Sequence, residues 1–150
     1  MGRGVFISFE GGDGVGKTTQ VELLTNWLED QGVSVRRTRE PGATALGAQL
    51  RSLLLGTASE DAQRTQITAK AEALLFAADR AQHVNELINP ALAAGQVVVT
   101  DRYIDSSVAY QGAARCLGAE EVRDLSLWAT DNLLPDLTLL LDADPQLAAK

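Results

Sequence analysis

The stretch Gly11-Gly12-Asp13-Gly14-Val15-Gly16-Lys17-Thr18 constrains this chain more than any other. It fits G-x-x-x-x-G-K-[ST] at every fixed position. It stands between an apolar run, Val5-Phe6-Ile7-Ser8-Phe9, and an amphipathic one carrying Val21, Leu24 and Leu28. That is the strand–loop–helix setting in which such a loop wraps phosphates. Its glycines let the backbone curl so that several N–H groups converge on one concavity. A helix beginning near Lys17 adds its positive end. Lys17 brings a mobile positive charge, and Thr18 brings a hydroxyl for Mg²⁺. The segment predicts a nucleoside-triphosphate site.

The rest of the chain alternates short apolar runs with longer helical ones. Strands are predicted over 5–9, 33–38, 97–100 and 137–142, the last rich in leucine and expected to be buried on both faces. Helices are predicted over 18–31, 45–55, 67–94, 106–111 and 119–130, with a polar connection at 56–63. Pro90 is expected to bend or interrupt the long helix, and Gly95 to end it. Strands separated by helices imply right-handed crossovers. The expected fold is α/β: a P-loop NTPase-like three-layer sandwich, its parallel sheet flanked by helices on both faces.

At 150 residues, 45% of them hydrophobic and 22% charged, the chain is long enough for one domain with a sizeable core. A net charge of −7 argues against broad nucleic-acid binding, because no basic stripe exists to replace counterions. Cys116 is alone, which excludes an internal disulfide, fits a reducing cytoplasm and suggests a thiol buried in packing. No signal peptide or membrane span is visible. His83, Trp27 and Trp128 read as packing residues rather than ligand contacts, with a surface position also open to His83. Glu29-Asp30, Glu60-Asp61 and Glu120-Glu121 read as solvated ends and turns.

A second constellation faces the glycine-rich loop. The run 97–103 puts Asp101 and Arg102 at the C-terminal end of a strand, the edge where open α/β sheets bind ligands. Asp101 suits Mg²⁺, directly or through water. Arg102 suits a bridge between a transferred phosphoryl group and an acceptor phosphate. Thr38-Arg39-Glu40-Pro41-Gly42 ends the second strand on the same edge. Phe76 and Arg80, four apart on the long helix, share a face; an exposed aromatic beside a guanidinium can stack on a base. Ser107, Tyr110 and Gln111 follow at helical spacing and can line the same cavity.

Taken in order, these segments resemble bacterial thymidylate kinases. The matching pieces begin with Phe9-Glu10-Gly11-Gly12-Asp13-Gly14-Val15-Gly16-Lys17-Thr18-Thr19-Gln20 and Arg39-Glu40-Pro41-Gly42-Ala43-Thr44. Leu75-Phe76-Ala77-Ala78-Asp79-Arg80, Asp101-Arg102-Tyr103 and Ser107-Val108-Ala109-Tyr110-Gln111-Gly112 follow, then Leu134-Pro135-Asp136-Leu137-Thr138. The resemblance implies phosphorylation of dTMP to dTDP by ATP with Mg²⁺. Gly11 to Thr18 would wrap the ATP phosphates. Lys17, Arg102 and Asp13 would be the catalytic groups, and Asp13 would also reach the 3′-hydroxyl side of dTMP. Phe76 would stack on thymine, and Arg80 would bond its exocyclic oxygen. Arg51 and Arg102 would hold the acceptor phosphate. Ser107 and Gln111 would meet the base edge, and Tyr110 would crowd a ribose 2′-hydroxyl. Thr18 and Asp101 would hold the metal. A cis Glu40–Pro41 peptide, a homodimer joined through packed helices and a cytoplasmic location are implied as well.

The chain departs from the family pattern at two places. Ala43 stands where relatives commonly carry glycine. Gly14 stands where some members carry a catalytic arginine; members without it supply arginine from a mobile lid. Measured against the family, residues 1–150 form one kinase domain expected to lack that lid, the last strand and the C-terminal helix. The chain is therefore expected to be poorly active and poorly stable as it stands. Leu74, Leu75, Val84, Leu87 and Ile88 are an apolar surplus compatible with a dimer face. The alternatives are a deoxynucleoside kinase, whose acceptor lacks a phosphate, and a non-catalytic P-loop nucleotide-binding module. The N-K-x-D string of a GTPase and the L-S-G-G-Q string of a transporter subunit are both absent.

Overall fold

The computed structural model describes residues 2–56, 67–144 and 146. Its strands are β1 (Phe6–Glu10), β2 (Val35–Arg39), β3 (Val97–Asp101) and β4 (Leu137–Leu140). Its helices are α1 (Lys17–Asp30), α2 (Ala45–Leu55), α3 (Ala69–His83), α4 (Asn89–Ala93), α5 (Ile104–Ser107) and α6 (Ala119–Ala129). All strand pairs are parallel, in the order β2-β3-β1-β4. β1 leads through α1 to β2 on one side of the sheet, and β3 leads to β4 on the other. The chain thus leaves the carboxyl ends of the neighbours β1 and β3 in opposite directions, which opens a crevice there. Phe9 and Asp101 are paired at its floor.

The two-residue period of the strands divides the core between the faces of the sheet. Phe6 and Val98 join Val84, Ile88, Leu92, Tyr103 and Ile104 on one face. Ile7, Phe9 and Val99 pack with Val21 of α1 on the other. Phe6 and Tyr103 meet edge to face at 5.0 Å. α1, α2 and α6 coincide with their predicted spans to within a residue at each end. The predicted long helix is helical from Ala69 to Ala93, with a π-helical turn at Val84–Ile88. Pro90 has no N–H to give, and its ring excludes an ordinary bond to the fourth preceding carbonyl; the wide turn before it takes up the mismatch. The short helix predicted at 106–111 starts earlier, at Ile104, and continues as a π turn through Ala114.

Several expectations are corrected. β4 is not buried on both faces. Leu137 is 48% and Leu140 70% exposed, because β4 is the edge strand of the described sheet and pairs only with β1. Trp27 and Trp128 are surface residues rather than packing residues; Val21 and Thr25 are buried on α1, and Val122 and Ser126 on α6, in their stead. Cys116 is exposed, in a tight loop where its φ is 60°. Val84 and Ile88 belong to the core, so of the apolar surplus on the long helix only Leu74 stands fully outside. Positions 57–63 lie outside the described residues, and with them all but Gly56 of the polar connection and the Glu60-Asp61 pair.

Candidate functional site

The loop between β1 and α1 is shaped by its glycines. Gly16 precedes the first residue of α1 with φ 92°, a left-handed turn that a side chain would strain. A Cβ on Gly11 would lie 2.7 Å from the Leu141 carbonyl oxygen, so only glycine permits this approach to the end of β4. Lys17 Nζ folds over the loop and donates to the Gly11 and Gly12 carbonyls at 3.0 and 2.9 Å. Burial, and next the Arg102 cation, hold the Lys17 ammonium below its ordinary pKa.

Arg102 leaves β3 with φ 73°, an uncommon conformation for a non-glycine residue. Its N–H donates to the Phe9 carbonyl at 2.9 Å, and its carbonyl accepts from the Thr100 hydroxyl at 3.0 Å. This turn throws the guanidinium across the crevice. Nη1 donates to the Gly11 carbonyl (3.2 Å) and Ser106 Oγ (3.3 Å), Nη2 to Asp13 Oδ1 (2.6 Å), and the Tyr110 ring lies 5.4 Å away. The buried Glu10 carboxylate sits beneath the turn. It accepts from the Tyr103 N–H at 2.8 Å and from the Ser106 hydroxyl. Burial pushes the Glu10 carboxyl above its ordinary pKa despite these bonds.

Two cavities open at this edge. One, of about 540 Å³, is bordered by Gly14, Gly16, Lys17, Thr18, Arg39 and Asp101. It is the polar one, and Asp101 Oδ1 beside it is buried with no hydrogen-bond partner among the described residues. The other, of about 450 Å³, is walled by Phe76, Arg80, Ser107, Tyr110, Gln111 and Glu72. Asp13, Glu40, Arg51 and Arg102 border both. The two cavities therefore share a wall of four residues.

Phe76 is not the exposed aromatic expected, and Arg80 beside it is buried, 2% exposed. Its Nε donates to Glu40 Oε1 at 2.7 Å, Nη1 to Ser126 Oγ at 3.3 Å, and Nη2 to the Tyr103 carbonyl at 3.1 Å and Ser107 Oγ at 3.0 Å. Phe76, one turn earlier, is half-buried. Gln111 is buried too. Its Nε2 donates to Glu72 at 3.2 Å, and its Oε1 has no partner among the described residues. An orphaned acceptor in a cavity wall suits an N–H donor on a ligand.

The segment between β2 and α2 forms the roof. Glu40–Pro41 is a cis peptide. The Gly42 N–H donates to Asp79 Oδ1 at 3.1 Å, and Arg51 Nη1 donates to the Pro41 carbonyl at 2.7 Å. Burial alone would raise the Glu40 carboxyl, but the Arg80 guanidinium and the His83 ring outweigh it and hold it below its ordinary pKa. Burial, and then the neighbouring Arg39 cation, lower the Arg51 pKa. Lys17, Arg39, Arg51 and Arg102 thus gather around one polar cavity, a charge pattern that suits phosphate.

Asp13, Gly14, Gly16, Lys17, Thr18, Arg51, Phe76, Arg80, Asp101, Arg102, Ser107, Tyr110 and Gln111 all border one cavity or both. Gly11, Gly12 and Val15 do not; Gly11 and Gly12 present their carbonyls to Lys17 instead. Sequence reasoning missed Arg39, Glu40, Ser106 and Glu72 as lining residues. Arg39 and Glu40 stood in a segment it singled out, but nothing in the spacing says which of their side chains turns inward. His83 is the packing residue expected of it, 1% exposed and hydrogen-bonded at both ring nitrogens.

The family model described as Thymidylate kinase matches residues 9–150. A thymidylate kinase of Bifidobacterium longum (strain NCC 2705) is 63% identical over 146 residues, which cover 97% of this chain and 70% of that protein. One of Clavibacter sepedonicus is 59% identical over 98% of this chain and 66% of its own length. The crystal structure of thymidylate kinase from Ehrlichia chaffeensis superimposes with a TM-score of 0.82 at 37% identity, covering 98% of this chain and 81% of that one.

Proposed function

This chain belongs to the thymidylate kinase family, the enzymes that phosphorylate dTMP with ATP, and we propose that the two cavities meeting at Asp13, Glu40, Arg51 and Arg102 hold its donor and its acceptor. That shared wall is the observation that carries the reading. In-line transfer needs two phosphates brought together with their charge offset, and little covalent work from the protein.

On this reading the loop amides, the N-terminus of α1 and Lys17 hold the ATP phosphates. Lys17 leaves its loop carbonyls for a phosphate oxygen. Arg51 and Arg102 hold the dTMP phosphate. Arg102 has three oxygen acceptors to exchange for it, and only the Asp13 bond involves a charged partner. Phe76 stacks on the thymine. The keto oxygen of the base accepts from Arg80, and the Gln111 amide oxygen accepts from the base N–H. Tyr110 and Asp13 flank the sugar.

Asp101 and Thr18 fit Mg²⁺: a buried carboxylate oxygen with no hydrogen-bond partner among the described residues and the hydroxyl of an exposed threonine border the same polar cavity. Among the described residues no three acidic, His or Cys side chains cluster as a metal cage. The remaining ligands would be water and phosphate oxygens, the usual habit of Mg²⁺. The bound ion would offset charge on the ATP phosphates. We further propose a cytoplasmic homodimer. α2, α3 and α6 pack side by side and expose Leu46, Leu53, Leu74 and Trp128; sedimentation at assay concentration showing only monomer would exclude it.

The test of function is a panel of nucleosides and nucleoside monophosphates assayed with ATP and Mg²⁺, on this chain and on one extended at its C-terminus. dTMP is expected to lead, with the extended chain faster. Preferred phosphorylation of thymidine would make the protein a nucleoside kinase, and preference for adenylate would overturn the assignment.

A further inference from the structure

Glu40 is gripped at both oxygens from α3. Arg80 Nε donates to Oε1 at 2.7 Å and His83 Nδ1 to Oε2 at 2.7 Å. Arg80 and His83 are three residues apart on one helix, so their side chains leave the same face. His83 Nε2 lies 2.6 Å from the Thr38 hydroxyl at the end of β2. All four residues are buried. An ionised carboxylate only accepts hydrogen bonds, so His83 must carry its proton on Nδ1; in the neutral ring Nε2 then accepts from Thr38.

This grip matters because of the donors left to Arg80. Its guanidinium has five N–H groups. Nε is spent on Glu40, both Nη2 hydrogens on Tyr103 and Ser107, and one Nη1 hydrogen on Ser126. Among the described residues one Nη1 hydrogen remains without an acceptor, and Arg80 borders the apolar cavity. A single fixed donor selects a ring oxygen over a ring amino group, provided that the fork does not rotate. Glu40 held at one oxygen can swivel and carry Arg80 with it; held at two, it cannot.

We propose that His83 is a positioning residue for base selection, locking Glu40 so that Arg80 presents one N–H to the 4-oxo group of a pyrimidine and rejects a 4-amino group. The proposal rests on the reading of Arg80 as the residue that meets the base.

The experiment is equilibrium binding of dTMP and dCMP, read as the ratio of the two dissociation constants. His83→Gln, whose amide nitrogen falls near the place of Nε2, is expected to lower the preference for dTMP about tenfold. His83→Asn, whose amide nitrogen falls near Nδ1, is expected to restore most of it. Packing damage alone would weaken both nucleotides and leave the ratio unchanged. Arg80→Lys is the control. If it lowers the ratio while His83→Gln does not, the role of His83 is refuted and Arg80 still reads the base. If Arg80→Lys leaves the ratio unchanged, the reading of Arg80 falls first. Equal losses in the Gln and Asn variants also refute the inference. A measurement on the parent protein covers the case in which the His83 variants do not fold. His83 is the one histidine of the chain, so its imidazole ¹⁵N signals are unambiguous. A proton on Nδ1 and a shift with dTMP larger than with dCMP are expected; a bare Nδ1, or no shift with dTMP, overturns the proposal.

Discussion

Removing the Glu40 carboxylate tests how the site is held open. In Glu40→Ala the Arg80 guanidinium, whose side chain is 2% exposed, loses its charged partner at 2.7 Å. It keeps only neutral oxygens from Tyr103, Ser107 and Ser126. His83 Nδ1 loses its acceptor as well. Leaving a buried cation without its anion costs about 3–5 kcal/mol. Glu40 borders both cavities, so water reaches the vacated space, and the lower end, about 3 kcal/mol, is expected. For a domain of this length that lowers Tm by about 6–12 °C. Glu40→Gln keeps an acceptor for Arg80 and lets His83 switch tautomer, so it is expected to cost less, about 1–2 kcal/mol. Urea unfolding followed by circular dichroism reads both values. Glu40→Ala within 1 kcal/mol of the parent, or Gln as costly as Ala, would refute the reasoning. The pH dependence gives a second check. The folded-state pKa of Glu40 lies below its ordinary value of 4.5, so its stabilisation is fully present above about pH 4.5 and is lost as pH falls through the lower folded value. The gap between parent and Glu40→Ala should stay level from neutral pH down to about 4.5 and close below it.

Lys17→Ala and Arg102→Ala should each lower turnover about 10²–10³-fold, the usual effect of deleting a group that offsets transition-state charge. The unfolding midpoint of the Arg102 variant should barely move, because Asp13, its ion-pair partner, is 94% exposed and screened. Normal turnover in either variant would remove that residue from its role. Gly47→Ala should destabilise despite a gain in helix propensity of about 1 kcal/mol. The new Cβ would lie 2.5 Å from Asp79 Oδ1 and 3.0 Å from Thr44 Oγ1, and overpacking of this kind costs about 1–3 kcal/mol. A thermal midpoint above the parent's would show that Asp79 moves aside freely.

Local chemistry was legible where neighbours along the chain carry it. The phosphate loop, the strand before it and the helix after it announce themselves by glycine spacing and apolar period, and the structure has them at Phe6–Glu10 and Lys17–Asp30. Ser107, Tyr110 and Gln111 could be grouped because helical spacing alone puts them together. Arg80 shows the limit of such reasoning. Its four-residue spacing from Phe76 predicted a shared face, but not that the guanidinium would be buried against Glu40, 40 positions away. Glu10 and Ser106 escaped notice for the same reason, their contact spanning 96 positions.

By itself the sequence determined the parallel alternation of strands and helices, the glycine-rich loop between the first strand and helix, and the adjacent Asp101 and Arg102 at the end of β3. These depend on backbone geometry and periodicity, which act over a few residues. Only the tertiary structure decided that β3 inserts between β2 and β1, that Arg102 turns back over Gly11, and that one wall of four residues serves two cavities. Those outcomes depend on contacts between residues far apart in the chain: which strand, carbonyl or carboxylate comes within reach of a residue is set by where the fold delivers it.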